Sequence, residues 1–262
     1  MPRIASITTQ AFTGIAIAGG LKQIEDFAQV SSVAATGVSA STGVHIGANG
    51  TNLQVTGDGE IDQFTLPNPF SMTSLTTDDT FDPTANTGGA ATTGGINWDA
   101  SGRNFYHCTA NQIEQYSVLT GDEYSITNRL AIAPNSLTLS GAVNLQMSPD
   151  DVTVLIAFAS QIVEYQIDPF YVRNIQFASA TSDTLSVANC VGCAYYDDGR
   201  SLLVAQSTGT VRQYELTTPY ALSGGATEVS TLSTGITNLS GISAQGTNLF
   251  LVNNAAQVYH WR

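Results

Sequence analysis

Charge is scarce in this sequence, and lysine is nearly missing. Only 11% of its 262 residues are Asp, Glu, Lys or Arg, less than half of the ~25% usual in globular proteins. Lys22 is the one lysine, and 8 basic residues against 21 acidic ones leave a net charge of −13. That balance lacks the basic footprint that nucleic acids or anionic membranes require, so neither is an expected partner. No run approaches the ~20 apolar residues of a membrane-spanning helix. No apolar signal core follows Met1-Pro2-Arg3, and the expectation is synthesis and folding in a cytoplasm. The three cysteines, Cys108, Cys190 and Cys193, are an odd count and no disulfide framework. What remains is a 42% hydrophobic chain, enough to fold, whose surface is wetted mainly by Ser, Thr, Asn, Gln and Gly. Its length suits one domain spanning residues 1–262.

An internal repeat organises the chain. An apolar residue, two further residues and an aromatic recur as Ile24-Glu25-Asp26-Phe27, Ile61-Asp62-Gln63-Phe64, Ile113-Glu114-Gln115-Tyr116, Ile162-Val163-Glu164-Tyr165, Val211-Arg212-Gln213-Tyr214 and Val258-Tyr259-His260-Trp261. The aromatics Phe27, Phe64, Tyr116, Tyr165, Tyr214 and Trp261 stand 37, 52, 49, 49 and 47 residues apart. The last five units each open with a strand, a tight turn and an apolar strand. The turns are Ala48-Asn49-Gly50, Ala100-Ser101-Gly102, Pro149-Asp150-Asp151, Asp197-Asp198-Gly199 and Ala244-Gln245-Gly246. Their Gly, Asn and Asp supply the backbone conformations of hairpins. A more polar fourth strand is expected at Ser125–Leu130, Arg173–Phe177 and Glu228–Leu232. Four short strands per ~40–50 residues is the signature of a propeller blade.

The expected fold is therefore all-β, a single β-propeller of six blades with a trimmed first blade. The alternative is five blades plus an N-terminal segment, because Leu21–Ala28 also reads as an amphipathic helix. The last unit stops at Trp261-Arg262 without a fourth strand, and Ile4-Ala5-Ser6-Ile7-Thr8 alternates like one. Ring closure is accordingly expected from Ile4 and Ile7 against the strand of Val258. The Thr-, Gly- and Ala-rich stretch from Asp78 to Gly95 reads as a long loop.

The fifth unit is the sharpest: Tyr196-Asp197-Asp198-Gly199-Arg200-Ser201-Leu202-Leu203-Val204, then Val211-Arg212-Gln213-Tyr214-Glu215-Leu216-Thr217-Thr218. It resembles a blade repeat of bacteriophage virion β-propeller proteins, in which a D-G turn precedes a hydrophobic strand and V-x-Q-Y-x-L-T. The resemblance is close over residues 191–223 and looser elsewhere. It implies a virion structural or attachment role and carries no catalytic residues, because the repeated residues are structural.

No other motif competes with that reading. Cys190-Val191-Gly192-Cys193 is a lone CxxC without the further ligands a zinc site needs, and buried thiols are expected. Asp150-Asp151 and Asp197-Asp198 fall at hairpin turns. Asp78-Asp79-Thr80-Phe81-Asp82 lacks a calcium-loop arrangement. A hydrolase would need carboxylates converging on the central channel. The expected channel positions, around Ile46, Asn97, Gln146, Ala194 and Ser243, are neutral. His45, His107 and His260 lie in different units without a shared phase, and no G-x-S-x-G elbow occurs. The expectation is a non-enzymatic component of a phage virion (tail, fibre or capsid-associated), with no metal or cofactor. It docks on other virion proteins in several symmetry-related copies. A carbohydrate-binding module for host-surface glycans is the alternative, through loops such as Phe70–Gly95 or Pro219–Thr227, with a polysaccharide-degrading enzyme behind it.

Overall fold

The computed structural model describes residues 23–262 except 74, 76, 84–91, 110, 120, 122, 128, 130–134 and 172. Twenty strands form five four-stranded antiparallel sheets, the blades of a β-propeller. Blade one contains β2 (Ser41–Ile46), β3 (Asn52–Gly57), β4 (Glu60–Thr65) and β5 (Thr77–Phe81). Blade two follows with β6 (Thr92–Trp98), β7 (Asn104–Thr109), β8 (Gln112–Ser117) and β9 (Asn135–Thr138). Blade three comprises β10 (Ala142–Met147), β11 (Thr153–Phe158), β12 (Gln161–Ile167) and β13 (Ala178–Ser186). Blade four holds β14 (Cys190–Tyr196), β15 (Ser201–Gln206), β16 (Thr210–Thr218) and β17 (Ala221–Ser233). In blade five, β18 (Leu239–Gln245), β19 (Asn248–Asn253) and β20 (Gln257–Trp261) are joined by β1 (Gln29–Ala34).

Six blades are thus corrected to five. Ile24–Asp26, read as part of a first anchor strand, is a single 3-10 turn running into β1. Blade three has the same arrangement, a 3-10 turn at Ile175–Phe177 leading into β13. The N-terminal segment therefore supplies the last loop and outer strand of blade five. Closure by Ile4–Thr8 is corrected as well. The edge of β20 is occupied by β1, with Val33 opposite Val258 and the ladder extended by mutual Ala28–Arg262 backbone bonds. Ile4 and Ile7 lie outside the described residues. The physical reason is burial. An outer strand faces solvent, so β1 needs no apolar alternation, and its Gln29-Val30-Ser31-Ser32 stretch is mostly exposed.

Two further boundaries move for the same reason. Part of the stretch expected as a loop from Asp78 is β5, whose Thr/Asp sequence buries only Phe81. Its other end is β6, and residues 84–91 between them lie outside the described residues. Fourth strands form at β9 and β13 rather than at Ser125–Leu130 and Arg173–Phe177. Glu228–Leu232 lies inside β17.

The anchor aromatics of the five blades occupy one register, each opposite an apolar residue of the second strand: Phe64–Leu53, Tyr116–Phe105, Tyr165–Val154, Tyr214–Leu202 and Trp261–Leu249. Each is buried in the seam with the preceding blade. Tyr116 packs with Ile61 and Phe81, Tyr165 with Tyr106 and Ile113, and Tyr214 with Leu155 and Ile162. Trp261 joins Tyr196 and Leu203, and Phe64 closes the ring against Phe250 and Val258. Phe27 is buried in the same cluster as Trp261, edge-on to Tyr196 at 5.8 Å.

In blades one to four the residue before the anchor points to the following blade and latches it. Gln63 Oε1 accepts the backbone N–H of Ile126 (2.9 Å), Gln115 Oε1 that of Ile175 (2.9 Å), Glu164 Oε2 that of Leu222 (2.6 Å) and Gln213 Oε1 that of Ile24 (3.0 Å). All four donors are buried, so each bond satisfies an N–H that no sheet ladder reaches. At the fifth seam His260 stands in this place. Its ring lies parallel to Phe250 at 4.7 Å, and its Nε2 meets Asn248 Oδ1 at 2.9 Å within its own blade.

Candidate functional site at the channel mouth

The five innermost strands, β2, β6, β10, β14 and β18, surround the axis. Their pairing with the second strands makes His45, Asn97, Gln146, Ala194 and Ser243 equivalent, opposite Gln54, Tyr106, Leu155, Leu203 and Phe250. Four of these were expected at the channel. In blade one the residue is His45 and not Ile46, which is buried in the hydrophobic seam with blade five. The signal was present: His45, Asn97, Gln146 and Ala194 each precede the middle residue of their hairpin turn by four. Strands alternate faces, so a slip of one residue exchanges channel for core.

Side chains in this ring bond to their neighbours. Asn97 Oδ1 accepts the Met147 N–H at 3.1 Å, while its Nδ2 lies 3.4 Å from both His45 Nδ1 and Gln146 Oε1. Ser243 Oγ accepts the Ile46 N–H at 3.2 Å, and Gln146 Nε2 donates to Met147 O at 3.0 Å. His45 sits deep among the blades but keeps partial solvent access along the axis. Its depth lowers the imidazole pKa, so the ring is neutral at physiological pH.

One layer further in, the equivalent residues are Gly43, Gly95, Asn144, Gly192 and Gly241. The backbones nearly touch here. A Cβ on Gly43 would lie 2.5 Å from Gly95 Cα, and one on Gly241 would lie 2.6 Å from Gly43 Cα. Asn144 is the one side chain at this level. Its Nδ2 lies 2.1 Å from the place of a Gly95 Cβ and 3.1 Å from that of Gly192. At this level the Asn144 amide thus fills the space that the glycines of its neighbours leave.

No protein-family model and no curated protein matches this chain by sequence. Among solved structures, the Myxococcus xanthus glutaminyl cyclase aligns with a TM-score of 0.60 at 9% identity, over 90% of this chain and 95% of that one. A chain in a mitotic checkpoint complex aligns with a TM-score of 0.54 at 9% identity, over 100% of this chain and 98% of its own. The likeness is one of fold.

Elsewhere, the chemistry-bearing residues serve the scaffold. Cys108, Cys190 and Cys193 are free and buried, and burial raises all three thiol pKa values, that of Cys190 to about 11. Asp99 accepts from Ser101 Oγ and from the N–H groups of Arg103 and Asn104. Asp151 caps the Ala100 N–H at 3.0 Å and takes Arg173 Nε at 2.6 Å, tying blades two and three. Asp150 accepts from Ser148 Oγ in its own turn.

A second surface feature was not legible in the sequence. On the 168–177 connection of blade three, Phe170 is 93% exposed, and Tyr171 stacks on Phe177 at 3.9 Å with both rings exposed. Because β10 and β12 run in the same direction, this connection lies on the same face as the hairpin turn that follows β10. Nothing in the repeat marks Phe170, since it falls in a connection whose length differs from blade to blade.

Proposed function

We propose that the protein is a non-enzymatic docking component of a phage virion. The observation that carries this reading is the exposed aromatic group of Phe170, Tyr171 and Phe177, three of the six large hydrophobics exposed among the described residues, gathered on one connection. Apolar patches rimmed by polar residues mark contact sites, and aromatics are favoured at the centre of protein interfaces. The neutral side chains at the equivalent inner-strand positions support the same reading, because polysaccharide hydrolysis works through paired carboxylates. The origin in a phage particle rests on the blade repeat of residues 191–223. The partners are then other virion proteins, met by several symmetry-related copies of this chain. A glycan-binding surface is the second reading, favoured by the stacked Tyr171 and Phe177 beside Asn174 and Gln176, since flat rings suit sugar C–H faces.

The test is particle composition. Purified virions should contain the chain at a fixed stoichiometry, and Phe170→Ser with Tyr171→Ser should abolish its incorporation without lowering its melting temperature. Incorporation should vary little with moderate salt, because the contact is apolar. Virions without the chain, or unchanged incorporation of the double variant, would overturn the docking reading. Binding of the wild type to a glycan array, lost in that variant, would establish the second one.

A further inference from the structure

The perimeter of the propeller carries a feature separate from the aromatic connection. β1, β5, β9, β13 and β17 each end their sheet, so one edge of each has no partner strand among the described residues. An open edge is a row of unpaired N–H and C=O groups, and charged side chains commonly guard it. β5 carries Asp78 and Asp79, β13 carries Asp183 and β17 carries Glu228, while β9 is only 4 residues long. β1, Gln29-Val30-Ser31-Ser32-Val33-Ala34, has no charge, no proline and no glycine. A bulge sharpens the contrast. Between Gln29 and Ser31 the ladder with β20 leaves out Val30, as the ladder of β4 with β5 leaves out Asp78. Val30 is 60% exposed. The direction of the backbone groups follows from the bonds to β20. Ala35 donates its N–H to Ala256 O at 2.8 Å. Direction alternates along an antiparallel strand, so Val33 and Ser31 also turn towards β20, and Ala34 and Ser32 turn outward. The same two residues have exposed side chains, whereas Ser31 and Val33 are half-buried. Both are small, so nothing screens the outward backbone.

We propose that the β1 edge pairs with the β1 edge of a second copy of this chain, antiparallel about a two-fold axis at Ser32. This register sets Ser32 against Ser32 of the second copy and Ala34 against Val30 of the second copy. It joins two four-stranded blades into one continuous sheet. The occupant follows from charge. Each chain carries a net charge of −13, and like charges directly opposite one another destabilise a strand pair. Self-pairing of β5, β13 or β17 brings carboxylates of the two copies together, and self-pairing of β1 does not. Glu25 and Asp26, which precede β1, fall at opposite ends of the paired segment in the two copies. A two-fold contact uses the same edge on both chains, so assembly through it closes at the dimer.

The experiment is sedimentation velocity on the full chain at concentrations from about 1 to 200 µM. The expected result is a reversible monomer–dimer equilibrium with a dissociation constant of about 10–100 µM, as suits a small contact. Ser32→Lys and Ser32→Glu each set like charges against one another on the axis. Each should weaken the dimer at least about tenfold without lowering the melting temperature, because the side chain is exposed. An equimolar mixture of the two variants should dimerise again, since Lys then faces Glu. Ser182→Lys, exposed on β13, is the control and should leave the equilibrium unchanged. Should a Ser32 variant fail to fold, Val30→Lys reads the same contact from a side chain already in solvent. The proposal is overturned by a wild-type chain that stays monomeric at about 200 µM, by growth beyond the dimer, by equal weakening in Ser182→Lys, or by Ser32 variants that remain monomeric when mixed.

Discussion

His107 is a buried cost that one substitution removes. Its side chain is fully buried on β7, in register between Ile96 and Glu114, and neither ring nitrogen has a hydrogen-bond partner. Glu114 does not serve it, since its carboxylate accepts from Gln112 Nε2 and Tyr116 Oη at 2.6 Å each. The equivalent positions of the other blades hold Val55, Ile156, Val204 and Leu251, all buried. His107→Leu keeps a similar volume and removes an unpaired polar group, so it should stabilise the fold by about 1–2 kcal/mol. For a protein of this size that corresponds to a rise of roughly 2–6 °C in melting temperature. The pH dependence is the sharper test. Burial lowers the His107 pKa from 6.5 to about 3, so between those values the unfolded chain binds the proton that the folded one refuses. Stability conferred by the neutral ring is therefore complete above pH 6.5 and declines as pH falls towards 3. Between pH 7 and pH 5 the loss from this one group is about 2 kcal/mol. Urea denaturation at both pH values should show a decline that is smaller by this amount in His107→Leu. His45 shifts the same way but keeps partial access to solvent, and it leaves a residual slope in both proteins. A destabilised variant, or an unchanged difference between pH 7 and pH 5, would show that His107 is satisfied in solution and that the reasoning fails.

Gln213→Leu should lower stability by about 1–3 kcal/mol in urea denaturation, because the buried Ile24 N–H loses its acceptor and Ser201 Oγ loses the Gln213 amide; an effect under about 0.5 kcal/mol would mean that the latch is not structural. Gly43→Ala places a methyl group 2.5 Å from Gly95 Cα, and a clash with backbone cannot be relieved by a rotamer change, so a loss of about 1–3 kcal/mol is expected from calorimetry; an unaltered melting temperature would show that the inner strands approach less closely than this geometry.

The sequence alone determined the repeating unit. Spacing of 47–52 residues between Phe64 and Trp261, hairpin turns at fixed offsets and apolar second strands dictate four-stranded blades, because inner strands are covered on both faces and must be apolar throughout. It also placed Asn97, Gln146, Ala194 and Ser243 on the innermost strands, and the first three stand at the same distance from their turns. Blade number was beyond it. Ile24-Glu25-Asp26-Phe27 imitates an anchor in letters, yet Ile24 donates to Gln213 as Ile126 and Ile175 donate to their glutamines, a match visible only across a seam. Outer strands such as β1 and β5 escaped for want of a burial signal, and the one-residue offset of His45 escaped because strand faces alternate. Asn144, which reaches Gly95 and Gly192 of the neighbouring blades, acquired its place only when five blades met around one axis. No local pattern can encode that meeting, because closure of the ring brings together residues nearly 200 positions apart, as Ile46 and Ser243 are.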